Sequence, residues 1–91
     1  MPIDRTLHAL ADPTRRRILH VLRSRDMPAG EIAALFPITG ASVSHHLAVL
    51  KEAGLVSAVR EGRRIVYSLE STVFQEVLEE IMELFDVGKR R

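Results

Sequence analysis

The stretch Thr39-Gly-Ala-Ser-Val-Ser-His-His-Leu-Ala-Val-Leu-Lys-Glu-Ala-Gly-Leu55 decides the fold. Thr39 is of a type that caps a helix N-terminus, and Val43, Leu47 and Leu50 follow at helical spacing. Ala53 ends the periodic run, and Gly54 is placed to close the helix in a left-handed conformation. Beyond it the apolar period changes from 3.6 to 2. Leu55–Arg60 and Arg64–Leu69 read as two antiparallel strands, with Glu61-Gly62-Arg63 as the turn. The result is a helix followed at once by a hairpin tipped with Arg60, Arg63 and Arg64.

Upstream, a shorter helix is expected from Ala29 to Phe36, carrying Ile32, Ala33, Leu35 and Phe36. It must end by Phe36, because the residue before Pro37 is pushed out of helical geometry. Pro37-Ile38 then links it tightly to the helix capped by Thr39. Helix, short turn, helix is the helix-turn-helix layout. Asp12-Pro13 starts an earlier helix, with Asp12 as cap and Pro13 at the first helical position. Ile18, Leu19, Val21 and Leu22 form its stripe, and it is expected to stop near Arg25-Asp26. Ile3 to Ala11 reads as a first helix with Ile3, Leu7 and Leu10 on one side.

Thr72 opens a last helix, and Gln75 three residues later fits a capping box. Val73, Phe74, Val77, Leu78, Ile81, Met82, Leu84 and Phe85 make its apolar face unusually broad. A narrow stripe buries against its own domain, whereas a broad one calls for a second surface. One large inward core is the alternative; the breadth favours a dimer face. The expected fold is mainly α with a β-hairpin wing (α+β), a winged helix-turn-helix of five helices and two strands.

The 91 residues suit one domain, residues 1–91. The absence of cysteine removes disulfides, thiolate metal sites and thiol redox sensing. No apolar run follows the N-terminus and none approaches ~18 residues, so the expectation is a soluble, cytoplasmic protein. The net charge of +1 hides an asymmetry. Residues 1–69 carry ten Lys/Arg against six Asp/Glu, and residues 70–91 three against six. A basic body with an acidic C-terminal segment suits two surfaces with different partners, although a plain solvated surface has the same appearance.

His45 and His46 are adjacent, and neighbours on a helix stand ~100° apart, so they do not converge on one metal. His46 flanks the Val43–Leu47–Leu50 stripe and is expected to pack or hydrogen-bond at the core edge. His45 points outward with Ala41 and Ser42, and Ser44 lies at the edge of that face. Small and hydrogen-bonding residues at the start of the second helix of such a pair suit entry into the DNA major groove. The expected DNA-facing set is Thr39, Gly40, Ala41, Ser42, Ser44 and His45, with Arg60, Arg63 and Arg64 on backbone phosphate or in the minor groove. Arg15, Arg16 and Arg17 sit where the helix dipole disfavours cations, by ~0.3–1 kcal/mol each. Phosphate contact could offset this, as could ion pairs with Asp12, Glu31 or the last helix.

Four segments in order, Ala9-Leu-Ala-Asp-Pro-Thr-Arg-Arg-Arg-Ile-Leu19, Ala29-Gly-Glu-Ile-Ala33, Ser42-Val-Ser-His-His-Leu47 and Lys51-Glu-Ala-Gly-Leu-Val56, resemble the ArsR family of winged helix-turn-helix repressors. The match is nearest to its small SdpR-like autorepressor branch and spans about Leu7 to Phe85. The resemblance implies a homodimer built from the first and last helices, residues 1–11 and 71–87. Residues 29–53 would be the helix-turn-helix and residues 55–69 the wing. The expected dimer contacts are Ile3, Leu7, Leu10, Phe74, Val77, Leu78, Ile81, Met82 and Phe85. The resemblance further implies recognition helices in successive major grooves, ~34 Å apart, at an operator overlapping a promoter. For this branch it implies relief of repression by a membrane-protein antirepressor.

Many members of that family sense metal ions, and here the sequence departs. One family site uses cysteines, which are absent. The other uses Asp and His on one subunit with His and Glu on its partner, and Thr72 to Val87 contains no histidine. Carboxylates such as Glu76, Glu79 and Glu83 alone favour weak hard-cation binding. No metal and no cofactor are expected. Met27-Pro28 also stands where a Ser or Thr cap is common, which weakens the start of the third helix. Two other readings compete: a winged-helix module for protein contacts, for which Val49 is the one apolar candidate, and a metal- or ligand-responsive sensor. An enzyme is not expected, because no nucleophile–base pair with an orienting acid and no glycine-rich phosphate loop is present.

Overall fold

A computed structural model describes residues 2–86. The elements run α1 (Pro2–Leu10), α2 (Pro13–Leu22), β1 (Met27–Pro28), α3 (Ala29–Ala34), α4 (Gly40–Glu52), β2 (Val56–Glu61), β3 (Arg64–Leu69) and α5 (Thr72–Leu84). The five helices and the hairpin wing stand where the residues place them. The sheet has a third strand, and its order is β1-β3-β2, all antiparallel. Met27 pairs with Tyr67 and Pro28 with Val66. A two-residue strand has no alternation to read, and Pro28 sits at a sheet edge, where its missing N–H is tolerated.

The helix ends follow local chemistry. Asp12 caps α2 by accepting from the Arg15 backbone N–H at 3.0 Å. Thr39 caps α4 by accepting from the Ser42 N–H at 3.0 Å. Pro28 precedes α3 without a side-chain cap, as Met27-Pro28 led one to expect. The α4 C-terminus is a Schellman turn: Gly54 N donates to the Lys51 carbonyl and Leu55 N to the Leu50 carbonyl, both at 3.0 Å. Gly54 takes φ +77°, which a residue with a side chain rarely adopts.

Three boundaries differ from expectation. Helix α2 stops at Leu22, three residues early, and Arg25 turns instead to Glu31 at 2.7 Å. Helix α3 stops at Ala34, because Leu35 N and Phe36 N bond three residues back and tighten the last turn. Helix α5 takes Ser71 as its N-cap residue, with no side-chain cap bond, so the Thr72–Gln75 capping box does not form. Val87, expected to end that helix, lies outside the described residues.

The core joins α2, α3, α4 and the base of the wing. Ile18, Ile32, Leu47 and Leu50 are its largest fully enclosed side chains. Helix α5 packs on α1, and its broad apolar face divides in two. Val77 is buried and Val73 and Ile81 half-buried on the inner side. Phe74, Leu78, Met82 and Phe85 remain exposed on the outer side, and Leu7 of α1 is exposed too. Ile3 and Val77, both expected at a dimer face, are enclosed by the chain itself.

Candidate nucleic-acid interface

Thr39, Gly40 and Ala41 are exposed at the start of α4, and Ser42 is half-buried. Thr39 Oγ1 already accepts one hydrogen bond as the cap, which leaves its proton to donate elsewhere. Gly40 has no heavy atom within 4 Å of where a Cβ would stand, so open space lies in front of the helix start. Ser44 and His45 are exposed as well, while Val43, Leu47 and Leu50 on the opposite side are buried. The helix therefore turns small and polar groups outward over its first two turns. Val49, the apolar candidate for a protein-binding face, is half-buried against the core.

The wing follows at once. Arg60 and Ile65 pair across it, as do Glu61 and Arg64. Gly62 at φ +63° opens the two-residue loop, the position where a type II′ hairpin needs glycine. Arg60, Arg63 and Arg64 are exposed, and among the described residues no hydrogen bond or ion pair engages them. Three unpaired guanidinium groups on a rigid ribbon suit phosphate contact.

Behind the helix lies a buried polar node. Arg15 is 7% exposed. Its Nε donates to the Ala9 carbonyl at 2.9 Å, its Nη2 to the His8 carbonyl at 3.1 Å, and its Nη1 reaches His46 Nδ1 at 3.2 Å. Arginine has no acceptor, so Nδ1 accepts, which assigns the His46 proton to Nε2. The Asp12 carboxylate lies 3.9 Å from the same nitrogen, too far for a hydrogen bond. The Arg15 backbone N–H holds the Asp12 carboxyl below its ordinary pKa, and the Arg15 charge adds to that. Arg16 Nη1 donates to the Leu10 carbonyl at 2.6 Å.

A helix-turn-helix family model matches residues 10–58, which takes in α2 through α4 and the start of the wing. The chain is 42% identical to the transcriptional repressor SdpR of Bacillus subtilis, over 94% of this chain and 96% of that protein. It is 44% identical to the HTH-type transcriptional regulator NmtR of Mycobacterium tuberculosis over 82% of its length, but spans only 62% of NmtR. A solved ArsR family transcriptional regulator superposes over the full length of both chains with TM-score 0.88 at 26% identity.

The chain belongs to the ArsR family of winged helix-turn-helix repressors.

That membership places the chain among DNA-binding transcriptional regulators, not enzymes. Within this ArsR-family chain, the exposure of Ala41, Ser44 and His45 follows from helical phase, whereas Ser42, expected on the outward face, is half-buried. The role of Arg15 was not legible. Its partners are backbone carbonyls of another helix and a histidine far along the chain, and neither leaves a mark at neighbouring positions. The bond between Arg16 and the Leu10 carbonyl was missed for the same reason. Only the Asp12-Pro13 break, which turns the start of α2 back toward the end of α1, hinted at both.

Proposed function

We propose that this chain acts in the cytoplasm as a homodimeric, sequence-specific repressor that regulates its own promoter and does not depend on a metal ion. The observation that carries the reading is the start of α4: a polar, small-residue surface with open space before Gly40, on a helix seated by Val43, Leu47 and Leu50. Thr39, Gly40, Ala41, Ser42, Ser44 and His45 would meet base edges in the major groove. Arg60, Arg63 and Arg64 would lie on backbone phosphate or in the minor groove.

Dimerisation is supported by the outer stripe of α5. Phe74 is 40% exposed, Leu78 44% and Phe85 72%, and Leu7 at 49% adds to them from α1. Large apolar side chains at i, i+4 and i+11 along one helix line are a seam for a second copy. A metal-independent mode is supported by the donor set: the chain lacks cysteine and α5 lacks histidine. Autoregulation rests on the resemblance of the four sequence segments to the small autorepressor branch of the family.

The test is fluorescence anisotropy on DNA from upstream of the protein's own gene, with a scrambled duplex beside it, across a salt series. Selective binding with a steep salt slope supports an autoregulating repressor. The slope should fall by ~0.9 for each phosphate-bound arginine of the wing replaced by alanine. Equal, weak binding to both duplexes refutes the autoregulatory reading.

A further inference from the structure

Val43, Leu47 and Leu50 seat α4 on the core, with Val49 and Ala53 packed against it toward the C-terminal end. A stripe of apolar contacts sets the height and tilt of a helix. It resists rotation about the helix's own axis poorly, because apolar contacts carry no direction. His46 flanks that stripe, ~40° around from Leu50 and ~100° from Leu47. It is the α4 side chain that the Arg15 guanidinium grips, through a directional hydrogen bond at 3.2 Å. The same guanidinium is fixed on its other side by the carbonyls of Ala9 and His8 at the end of α1. His45 lies another ~100° around the helix, at the exposed reading face. A roll of about 10° would carry an atom at a radius of ~6 Å through about 1 Å. That exceeds the whole distance range of a good hydrogen bond to a base edge.

We propose that Arg15 is a positioning residue for DNA readout. By holding His46 Nδ1 together with the His8 and Ala9 carbonyls, it fixes the roll of α4 relative to α1 and so aims Ala41, Ser42 and His45. This rests on the reading of α4 as the DNA-reading helix. Because α1 also carries part of the exposed apolar face, the node ties the reading helix of one copy to the frame shared with the second.

Three variants test it. His46→Leu keeps the branched shape but removes the acceptor, and His46→Asn returns an acceptor at the same distance from the backbone. Arg15→Lys keeps the charge but cannot span two carbonyls and a ring. Binding is measured to a duplex enriched from a randomised pool by the wild-type protein, and to a scrambled duplex, with thermal melting of each variant. His46→Leu should lower the ratio of selective to scrambled affinity by about tenfold or more. Its scrambled-duplex affinity should not change. His46→Asn should restore most of the ratio. Arg15→Lys should reproduce the loss, and since Arg15 is buried, the loss is not that of a DNA contact.

A wild-type ratio in His46→Leu overturns the proposal. So do parallel losses on both duplexes in His46→Leu and His46→Asn with lowered melting, which mean a purely structural role. If the pool yields no duplex that the wild type prefers, the DNA-reading assignment itself fails and takes this proposal with it.

Discussion

Gly54→Ala tests the joint between the reading helix and the wing. Two costs can be worked separately. The first is conformational: Gly54 sits at φ +77°, and a residue with a Cβ pays about 1–2 kcal/mol there. The second is steric: a Cβ at this position would stand 2.8 Å from Val73 Cγ2 and 3.3 Å from Val73 Cβ. Val73 is in the first turn of α5, and a β-branched side chain in a helix has essentially one χ1 available. Relief therefore requires α5 to shift, at a cost of about 1–3 kcal/mol. Together these predict a loss of about 2–5 kcal/mol in urea unfolding at fixed protein concentration. At about 4–8 °C per kcal/mol for a domain of this size, that is roughly 10–40 °C in Tm. The double variant Gly54→Ala, Val73→Ala removes the 2.8 Å contact and leaves the backbone strain. It should be more stable than the sum of the single losses by about 1 kcal/mol. A Gly54→Ala protein within about 0.5 kcal/mol of wild type would refute the reasoning, since a surface substitution does no more than that.

Three other outcomes are expected. Thr6→Val should raise stability by about 1 kcal/mol in calorimetry, because the Thr6 hydroxyl is fully buried without a partner; a lower Tm would mean that the hydroxyl is in fact bonded. Asp12→Ala should destabilise at neutral pH. The folded-state pKa of Asp12 is lowered, so its contribution is fully present above the unfolded value near 3.8 and fades as pH falls through the folded value. The gap between wild type and Asp12→Ala should therefore close in acid, and a gap that stays constant with pH would exclude the cap as its source. Phe74→Glu places a charge on the outer stripe of α5, where a monomer tolerates it and a dimer does not. Sedimentation should show a monomer that melts normally and has lost tight DNA binding, whereas a persistent dimer would move the interface elsewhere.

Most of the fold was legible because its signals are local. Thr39 and Gly54 mark the two ends of α4, and the switch of period at Leu55 marks the wing. What was missed is non-local or too short to carry a pattern. Strand β1 is two residues long and exists because Met27 finds Tyr67, forty positions away. The Thr72–Gln75 box failed because Ser71, one residue earlier, took the cap position. The breadth of the apolar face of α5 was legible in the sequence. Its division was not, because Val77 and Leu78 are equally apolar in sequence and only the docking of α1 decides which is enclosed.

The run Arg15-Arg-Arg17 shows why a composition argument stops short. Three cations at a helix start oppose the positive end of its dipole. Within the chain, backbone carbonyls answer that for the first two. Asp12-Pro13 breaks the chain so sharply that α2 begins beside the end of α1. The last carbonyls of α1, which have no partners in their own helix, then face the arginines. Arg15 takes His8 and Ala9, and Arg16 takes Leu10. The negative end of one helix dipole thus neutralises charge that would oppose the positive end of the next; the Ala9 and Leu10 carbonyls gain partners by these bonds, and the His8 carbonyl, which also accepts from Ala11 N at 3.2 Å, gains a second. Arg17, exposed and without a bond among the described residues, is left as the member of the run free to meet an outside anion. Replacing Arg16 should fray α1, whereas replacing Arg17 should leave the fold untouched. That contrast, read by hydrogen exchange at the end of α1, separates the architectural arginines from the free one.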